Sequence, residues 1–396
     1  MRAAQGRAAP KTVASRASGR YAPDMSTQDD LDIFLAAPPG LEDELLAEAR
    51  ELGFADPRPE RGGVAVRGGW TEIWRANLQL RGAQRVMLRA GAFMAFHLAQ
   101  LDKRARRFPW GDFLRPDVPV RVEASCARSK IYHAGAAAER VARAIAETLG
   151  APVRDDAPVR VLLRIEKDRA QLSIDCSGAP LHKRGHKLAV AKAPLRETMA
   201  ALMLRRCGYA PGAPLADPMC GSGTFVIEAA EMSARLAPGR GRDFAFALLP
   251  SFDAERWEAM RAEAAAMART PEPAFFGADR DQGAVRAAAA NAERAGVAAF
   301  ARFACQPVGA FAPPDGPPGL VMVNPPYGGR IGQRRPLFAL YATLGRVLRE
   351  RFQGWRVGLV TSDPGLARAT ELPLAQLGAP IGHGGMTVRL FAAGPL

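Results

Sequence analysis

The chain has 396 residues, 48% hydrophobic and 24% charged, with a formal net charge of +14. These are ordinary values for a soluble globular protein of two or three domains with a full core. The basic excess favours a polyanionic partner, and it is uneven: residues 31–100 carry 8 Lys and Arg against 9 Asp and Glu, whereas residues 101–200 carry 20 against 12. Five scattered cysteines (Cys126, Cys176, Cys207, Cys220, Cys305) include no C-x-x-C pair. A disulfide framework and a zinc site are therefore not expected, and a reducing cytoplasm fits. The longest apolar run, Ala90 to Leu101, is too short to span a bilayer. Residues 1–30 are rich in Ala, Arg, Ser and Gly without an apolar segment, and are expected to form a disordered basic tail rather than a secretory signal.

Alternation and helical spacing predict the elements that follow. Leu31 to Ala37 reads as a strand and Leu41 to Leu52 as a helix with acids near its start, which suits the helix dipole. Gly62 to Arg67 is a second strand, Thr71 to Leu80 a second helix, and Val86 to Phe93 a strand that closes a small α+β unit over 31–95. Residues 96–188 contribute a strand at Val118–Ala124, a helix at Ala136–Leu149, and a hairpin of Val159–Ile165 with Ala170–Asp175. From about Leu188, strands and helices alternate through 189–396. Strands end at Asp217, Asp279, Cys305, Asn324 and Thr361, and a last one covers Met386–Ala392. Such alternation predicts an α/β, Rossmann-like, doubly wound and mostly parallel sheet, whose ligands bind at the carboxyl ends of the strands.

Asp217-Pro-Met-Cys-Gly-Ser-Gly-Thr224 falls between a strand and a helix. Gly221 and Gly223 permit a tight turn and close approach of a ligand, although an ordinary βα turn has the same composition. Gly277-Ala-Asp279 ends the next strand, where a carboxylate can accept both hydroxyls of a ribose. Asp279 or Asp281 could equally cap the following helix. No Lys-Ser/Thr follows the glycines, so phosphate transfer is not expected. A ribose acid without a phosphate-binding lysine suits S-adenosylmethionine better than ATP.

Val323-Asn-Pro-Pro-Tyr327 ends a later strand. Two prolines cannot continue a sheet ladder and fix a rigid corner. The Asn324 side-chain oxygen and the Pro325 carbonyl can accept the two N–H bonds of a base amine, aiming its lone pair at a methyl donor. Tyr327 offers a face for the base. This corner speaks of base amines in general, not of guanine or adenine. Cys220 is expected to pack, and Trp257 and Trp355 to lie in the core. His133, His182 and His186 have no metal-site spacing and are expected at the surface or a hinge; no metal is called for.

With these motifs in order, the chain resembles class I methyltransferases, and more closely the THUMP-domain family of bacterial large-subunit rRNA guanine-N2 methyltransferases. Arg128-Ser-Lys-Ile-Tyr-His133 resembles the THUMP motif, and the preceding α+β unit the ferredoxin-like domain that accompanies it. Leu181-His-Lys-Arg-Gly185 and Ala193-Pro-Leu-Arg-Glu-Thr198 resemble the lead into the methyltransferase sheet, and Ala237-Pro-Gly-Arg-Gly an insertion of the family. The resemblance implies an N-terminal tail (1–30), a ferredoxin-like domain (31–95), a THUMP RNA-binding domain (96–188) and a methyltransferase domain (189–396). It implies S-adenosylmethionine held by Asp217, Pro218, Gly221, Gly223, Thr224, Asp279 and Asn324. The target amine would be held by Asn324, Pro325 and Tyr327, and RNA by Arg128, Lys130, Lys183 and Arg184. Where the family carries an acid for the cofactor's adenine, this chain has Gln306. The implied activity is N2 methylation of an rRNA guanosine. Methylation of tRNA guanine or of adenine, or a non-catalytic role in ribosome assembly, are the alternatives.

Overall fold

Leu31, Ile33 and Leu35 alternate with less buried neighbours along β1 (Leu31–Ala36), the period of a strand that buries one face. Glu42, Asp43 and Glu44 open α1 (Glu42–Glu51), which packs Leu45, Leu46 and Ala49 beneath the sheet. The structure, a computed structural model, describes residues 30–188, 195–272, 274–327, 334–383 and 385–396. The N-terminal half continues with β2 (Ala55–Glu60), β3 (Gly63–Gly68), α2 (Trp70–Gln79), β4 (Arg85–Met94), α3 (Leu98–Ala105), β5 (Val120–Ala127), α4 (Ala134–Leu149), β6 (Val159–Glu166) and β7 (Arg169–Asp175). Its strands form one seven-stranded sheet in the order β2-β3-β1-β4-β7-β6-β5.

β4 also joins the first α+β unit to the next. Its far edge pairs with β7, from Met87 opposite Asp175 to Met94 opposite Arg169, so residues 31–95 and 96–188 share a sheet. A ten-residue strand has two ladders to satisfy, and only one is used by β1. β2 escaped the sequence reading because Pro57 and Pro59 argue against a strand. It lies at the sheet edge, where a missing N–H costs little.

The second half comprises α5 (Glu197–Arg206), β8 (Leu215–Asp217), α6 (Thr224–Ser233), α7 (Ala254–Ala266), β9 (Phe275–Asp279), α8 (Gln282–Ala295), β10 (Ala301–Cys305), β11 (Leu320–Val323), α9 (Arg334–Arg351), β12 (Arg356–Thr361), α10 (Pro364–Ala369), β13 (Ala375–Gln376), β14 (Ile381–His383) and β15 (Met386–Ala393). The sheet order is β10-β9-β8-β11-β12-β15-β13, with β14 on β15. β10, β9, β8, β11 and β12 run parallel, and β15 is antiparallel to β12. Strand order reverses between β8 and β11, the switch point at which such sheets open a crevice at their carboxyl ends. The doubly wound expectation is met. Residues 1–29 of the expected tail, and Ala193 and Pro194, lie outside the described residues.

Salt bridges and main-chain bonds join the two sheets. Arg205 and Arg206 of α5 pair with Glu51 and Glu44 of α1. Arg81 reaches Glu228 on α6 at 3.0 Å and also bonds the Leu236 carbonyl. Gly239 N donates to Leu78 O at 2.9 Å, and Arg242 caps the carbonyls of Ser177, Ala179, Pro180 and Lys183. The Ala237–Gly241 insertion thus serves as an interdomain clasp.

Candidate active site

The turn after β8 is held open by two glycines. Gly221 and Gly223 have φ of +54° and +83°, a region that costs other L-residues roughly 1–2 kcal/mol. A Cβ on Gly223 would stand 3.1 Å from both Ala288 Cβ and Phe303 Cε1, so the position has neither the conformation nor the room for a side chain. Cys220 N donates to Ala278 O at 2.8 Å and Gly221 N to Asp279 Oδ2 at 3.0 Å, tying the turn to the end of β9. Cys220 is buried and its thiol is pushed up by burial, which leaves it a packing role. Asp217, the last residue of β8, is 2% exposed. Its Oδ1 accepts from Met219 N at 3.0 Å, and burial, abetted by the charge of Asp279, pushes the carboxyl up to about 8. A buried carboxyl of that kind stays protonated near neutral pH and ionises there only beside a cation.

The capping question at β9 has a definite answer. Asp281 caps α8, accepting from Gly283 N at 2.7 Å. Asp279 is half-buried and accepts one main-chain N–H on each oxygen, from Asp281 at 2.9 Å and Gly221 at 3.0 Å. Each oxygen keeps a lone pair for a ligand. Gln306 N donates to Asp279 O at 3.0 Å, so Gln306 stands just past β10 beside that acid.

The third member lies on the neighbouring strand. All four residues of β11 are buried, and Asn324 follows them. Its Oδ1 is buried and has no hydrogen-bond partner among the described residues, a costly arrangement of about 1–3 kcal/mol unless a ligand supplies a donor. Pro325 is buried. The Pro326 carbonyl accepts from Tyr341 Oη at 3.4 Å, and the same hydroxyl lies 3.4 Å from Thr361 Oγ1 at the end of β12. Tyr327 is half-buried against the cores on both sides of the sheet, and burial raises its phenol. Parallel registers align Asp217 with Gly277 on β9, and Val321 with Ala216. Asp217, Asp279 and Asn324 therefore share one sheet edge. Tyr341 and Thr361 were missed, because a tyrosine mid-helix and a threonine at a strand end carry no local signal.

Other predicted residues lie elsewhere. Thr224 is buried, and its hydroxyl accepts from Lys187 Nζ at 2.8 Å; Lys187 also bonds Leu195 O at 2.7 Å and pairs with Glu197 at 3.3 Å. Arg184 corrects the RNA-contact expectation. Its side chain is 1% exposed and pairs with Glu228 and with Glu231 at 2.9 Å, so no phosphate can reach it. Burial opposes both charges, yet Arg184, Arg240 and Arg81 outweigh it and hold Glu231 at about 2. His186 is buried rather than at the surface, and burial lowers His182 to about 4. Lys183 is exposed; Arg128 and Lys130 are exposed on the loop before α4. His133 caps that helix, accepting from Ala136 N at 3.0 Å. Trp257 and Trp355 are buried, as expected. Among the described residues, no group of three His, Cys, Asp or Glu could share a metal ion, and no helix is long and apolar enough to cross a membrane.

A doubly wound sheet with a glycine turn, an acid at the next strand end and an Asn-Pro-Pro-Tyr corner beyond the switch point has the Rossmann-like architecture of class I methyltransferases. Residues 184–385 match the family described as RMKL-like, methyltransferase domain, and residues 32–87 match the RlmL ferredoxin-like domain. The chain belongs to the RMKL-like methyltransferase family. The chain is 38% identical over 357 residues to the ribosomal RNA large subunit methyltransferase K/L of Syntrophotalea carbinolica, covering 85% of this chain and 50% of that protein. The protein of the same description from Methylococcus capsulatus is 36% identical, covering 85% and 47%. The chain thus spans about half the length of these curated relatives. Among solved structures, SMU.472 in complex with SAH superposes with a TM-score of 0.84 at 27% identity, covering 93% of this chain and 99% of that one. A protein of Listeria monocytogenes described as a predicted N6-adenine-specific DNA methylase has a TM-score of 0.84 at 30% identity, covering 94% and 99%.

Proposed function

We propose that this chain transfers a methyl group from S-adenosylmethionine to N2 of a guanosine in large-subunit rRNA, in the cytoplasm. The observation that carries the reading is the buried Asn324 Oδ1 at the carboxyl end of β11, which has no hydrogen-bond partner among the described residues. A buried acceptor without a donor is a site waiting for one, and a base amine brings two. The K/L relatives, named for the large ribosomal subunit, support rRNA, and the SAH held by SMU.472 supports the cofactor.

The residues present fit that cofactor. Asp279, with a free lone pair on each oxygen, would take the ribose hydroxyls, and the Gly221–Gly223 turn would admit the chain beside it. Asp217, buried and short of a cation, would take the ammonium of the methionyl end. Gln306 would meet the adenine with a neutral amide in place of an acid. Bound S-adenosylmethionine would supply an electrophilic methyl group on a sulfonium. Asn324 Oδ1 and the Pro325 carbonyl would accept from the amine and offset the positive charge that grows on its nitrogen. Tyr327 would hold the flat face of the base, which a paired nucleotide would reach only by flipping out. Residues 96–188 would carry RNA, with Arg128, Lys130 and Lys183 on phosphate.

Tritiated-methyl transfer onto purified rRNA, tRNA and DNA, followed by nucleoside analysis, tests the reading. N2-methylguanosine from rRNA is expected. Methyladenine as the product, in line with the description of the Listeria relative, would overturn the base assignment.

A further inference from the structure

Helix α9 leaves one aromatic ring outside the core, and it does so at the rim of the candidate site. The core stripe of the helix is Leu337, Tyr341, Leu344 and Leu348, apolar residues at helical spacing. Phe338 falls beside that stripe and is 40% exposed. Its height above the sheet is fixed by the next turn. α9 crosses from β11 to the parallel β12, so it starts at the carboxyl edge and runs back from it. Tyr341 Oη stands 3.4 Å from both the Pro326 carbonyl and Thr361 Oγ1, level with that edge. Phe338 lies three residues earlier, about 4.5 Å further out along the helix axis. A Cβ on Gly365 would stand 3.6 Å from Phe338 Cζ, so the tip of the ring rests on the turn that opens α10. The acid of that turn, Asp363, is engaged in capping, its Oδ1 accepting from Gly365 N at 2.7 Å. Arg335, a further turn out on α9, is exposed.

A single exposed ring is ordinary on a protein surface; its place is what matters here. Extruding a base from a strand leaves the neighbouring base without a stacking partner, and a ring beside the Asn-Pro-Pro-Tyr corner can replace that face. A cation one helical turn from the ring suits the phosphate of the same nucleotide. We infer that Phe338 stacks the nucleotide next to the target while Arg335 takes its phosphate, which fixes the strand beside the base that enters the corner. The inference rests on the proposed methylation of RNA. It adds positioning residues that act on the strand and leave the reacting amine to Asn324 and Pro325.

The test is tritiated-methyl transfer to purified large-subunit rRNA by the full chain, with KM and kcat for RNA taken separately. Phe338→Ala is expected to lower kcat/KM about tenfold, the loss falling on KM. Phe338→Tyr, which keeps a flat ring, should stay within about twofold of wild type, whereas Phe338→Leu, which keeps apolar bulk alone, should behave as the alanine variant. Arg335→Gln should raise KM and reduce its salt dependence by about one power of salt concentration. Leucine as good as phenylalanine would reduce the ring to packing, and a matching loss of calorimetric affinity for S-adenosylmethionine would make it structural; either result overturns the inference. Phe338→Trp gives a reading that needs no methyl transfer: its added fluorescence should be quenched when rRNA binds. Quenching without methyl transfer by wild type would sink the proposed function and leave the strand contact standing. Methyl transfer without quenching would do the opposite.

Discussion

Helix α6 carries two kinds of polar chemistry at its two ends. Along its body, Glu228 and Glu231 are buried against Arg184, with Arg81 and Arg240 closing the cluster, so each charge meets an opposite one. At its start, the glycine turn adjoins Asp217, a carboxyl with one main-chain donor, and across the sheet edge Asn324 Oδ1 has none among the described residues. Both regions are buried, but only the first pairs every charge; even there Arg184 Nε has no hydrogen-bond partner among the described residues. Paired charges hold the two sheets together; the acceptors at the strand ends belong to the proposed site. In this fold, the pairing of charges separates the two regions where burial alone does not.

The largest expected effect on stability breaks the paired region. Arg184→Met takes the most buried cation from two carboxylates that keep Arg81 and Arg240, and should cost up to about 3 kcal/mol in denaturant-derived stability. A loss below about 1 kcal/mol would mean that the cluster does not bind the sheets. Asn324→Ala should do the reverse: methyl transfer should fall by roughly 10²–10³ while stability and calorimetric affinity for S-adenosylmethionine stay near wild type. A coupled loss of stability would make Asn324 structural.

pH sharpens the contrast further. Asp217 has a folded pKa raised to about 8 from 3.8. Its stabilising contribution is therefore full below 3.8 and is lost as pH rises towards 8. Glu231, depressed to about 2 from 4.5, contributes above 4.5 and is lost as pH falls through 2. Asp217→Asn should flatten the decline between pH 4 and 8 in unfolding free energy and weaken cofactor binding. In wild type, cofactor binding at pH 7 should release about one proton from Asp217, visible as a buffer-dependent enthalpy in calorimetry. A buffer-independent enthalpy would remove Asp217 from the ammonium site. The smallest effect separates the two acids of β9 and α8. Asp281→Ala should cost about 1 kcal/mol of stability with cofactor affinity unchanged, whereas Asp279→Ala should weaken the cofactor. Identical behaviour would undo the division of labour between cap and ribose acid.

Much of the candidate site was legible because it is made by local backbone rules. Glycines at positive φ, an acid closing a strand and two prolines after an asparagine impose their turns wherever the chain runs, so Gly221, Gly223, Asp279 and Asn324 could be read from spacing. The basic surplus of residues 101–200 was less informative than it looked. Arg160 spends its charge on Asp175 and Glu123, and Lys187 and Arg184 spend theirs inside. A count of charges cannot say which ones reach solvent.

By itself the sequence determined the main strands and most of the longer helices in order, without β2, and the candidate glycine, acid and Asn-Pro-Pro-Tyr turns, since each depends on neighbours within a few positions. Tertiary structure alone decided that β4 joins β7 in a shared sheet, that Arg184 is buried mortar, that Lys187 claims the Thr224 hydroxyl, and that Tyr341 braces the Asn-Pro-Pro-Tyr corner. Those outcomes depend on partners brought together from distant stretches of chain. A side chain's role there is set by which opposite charge or donor the fold delivers to it, which no local pattern records.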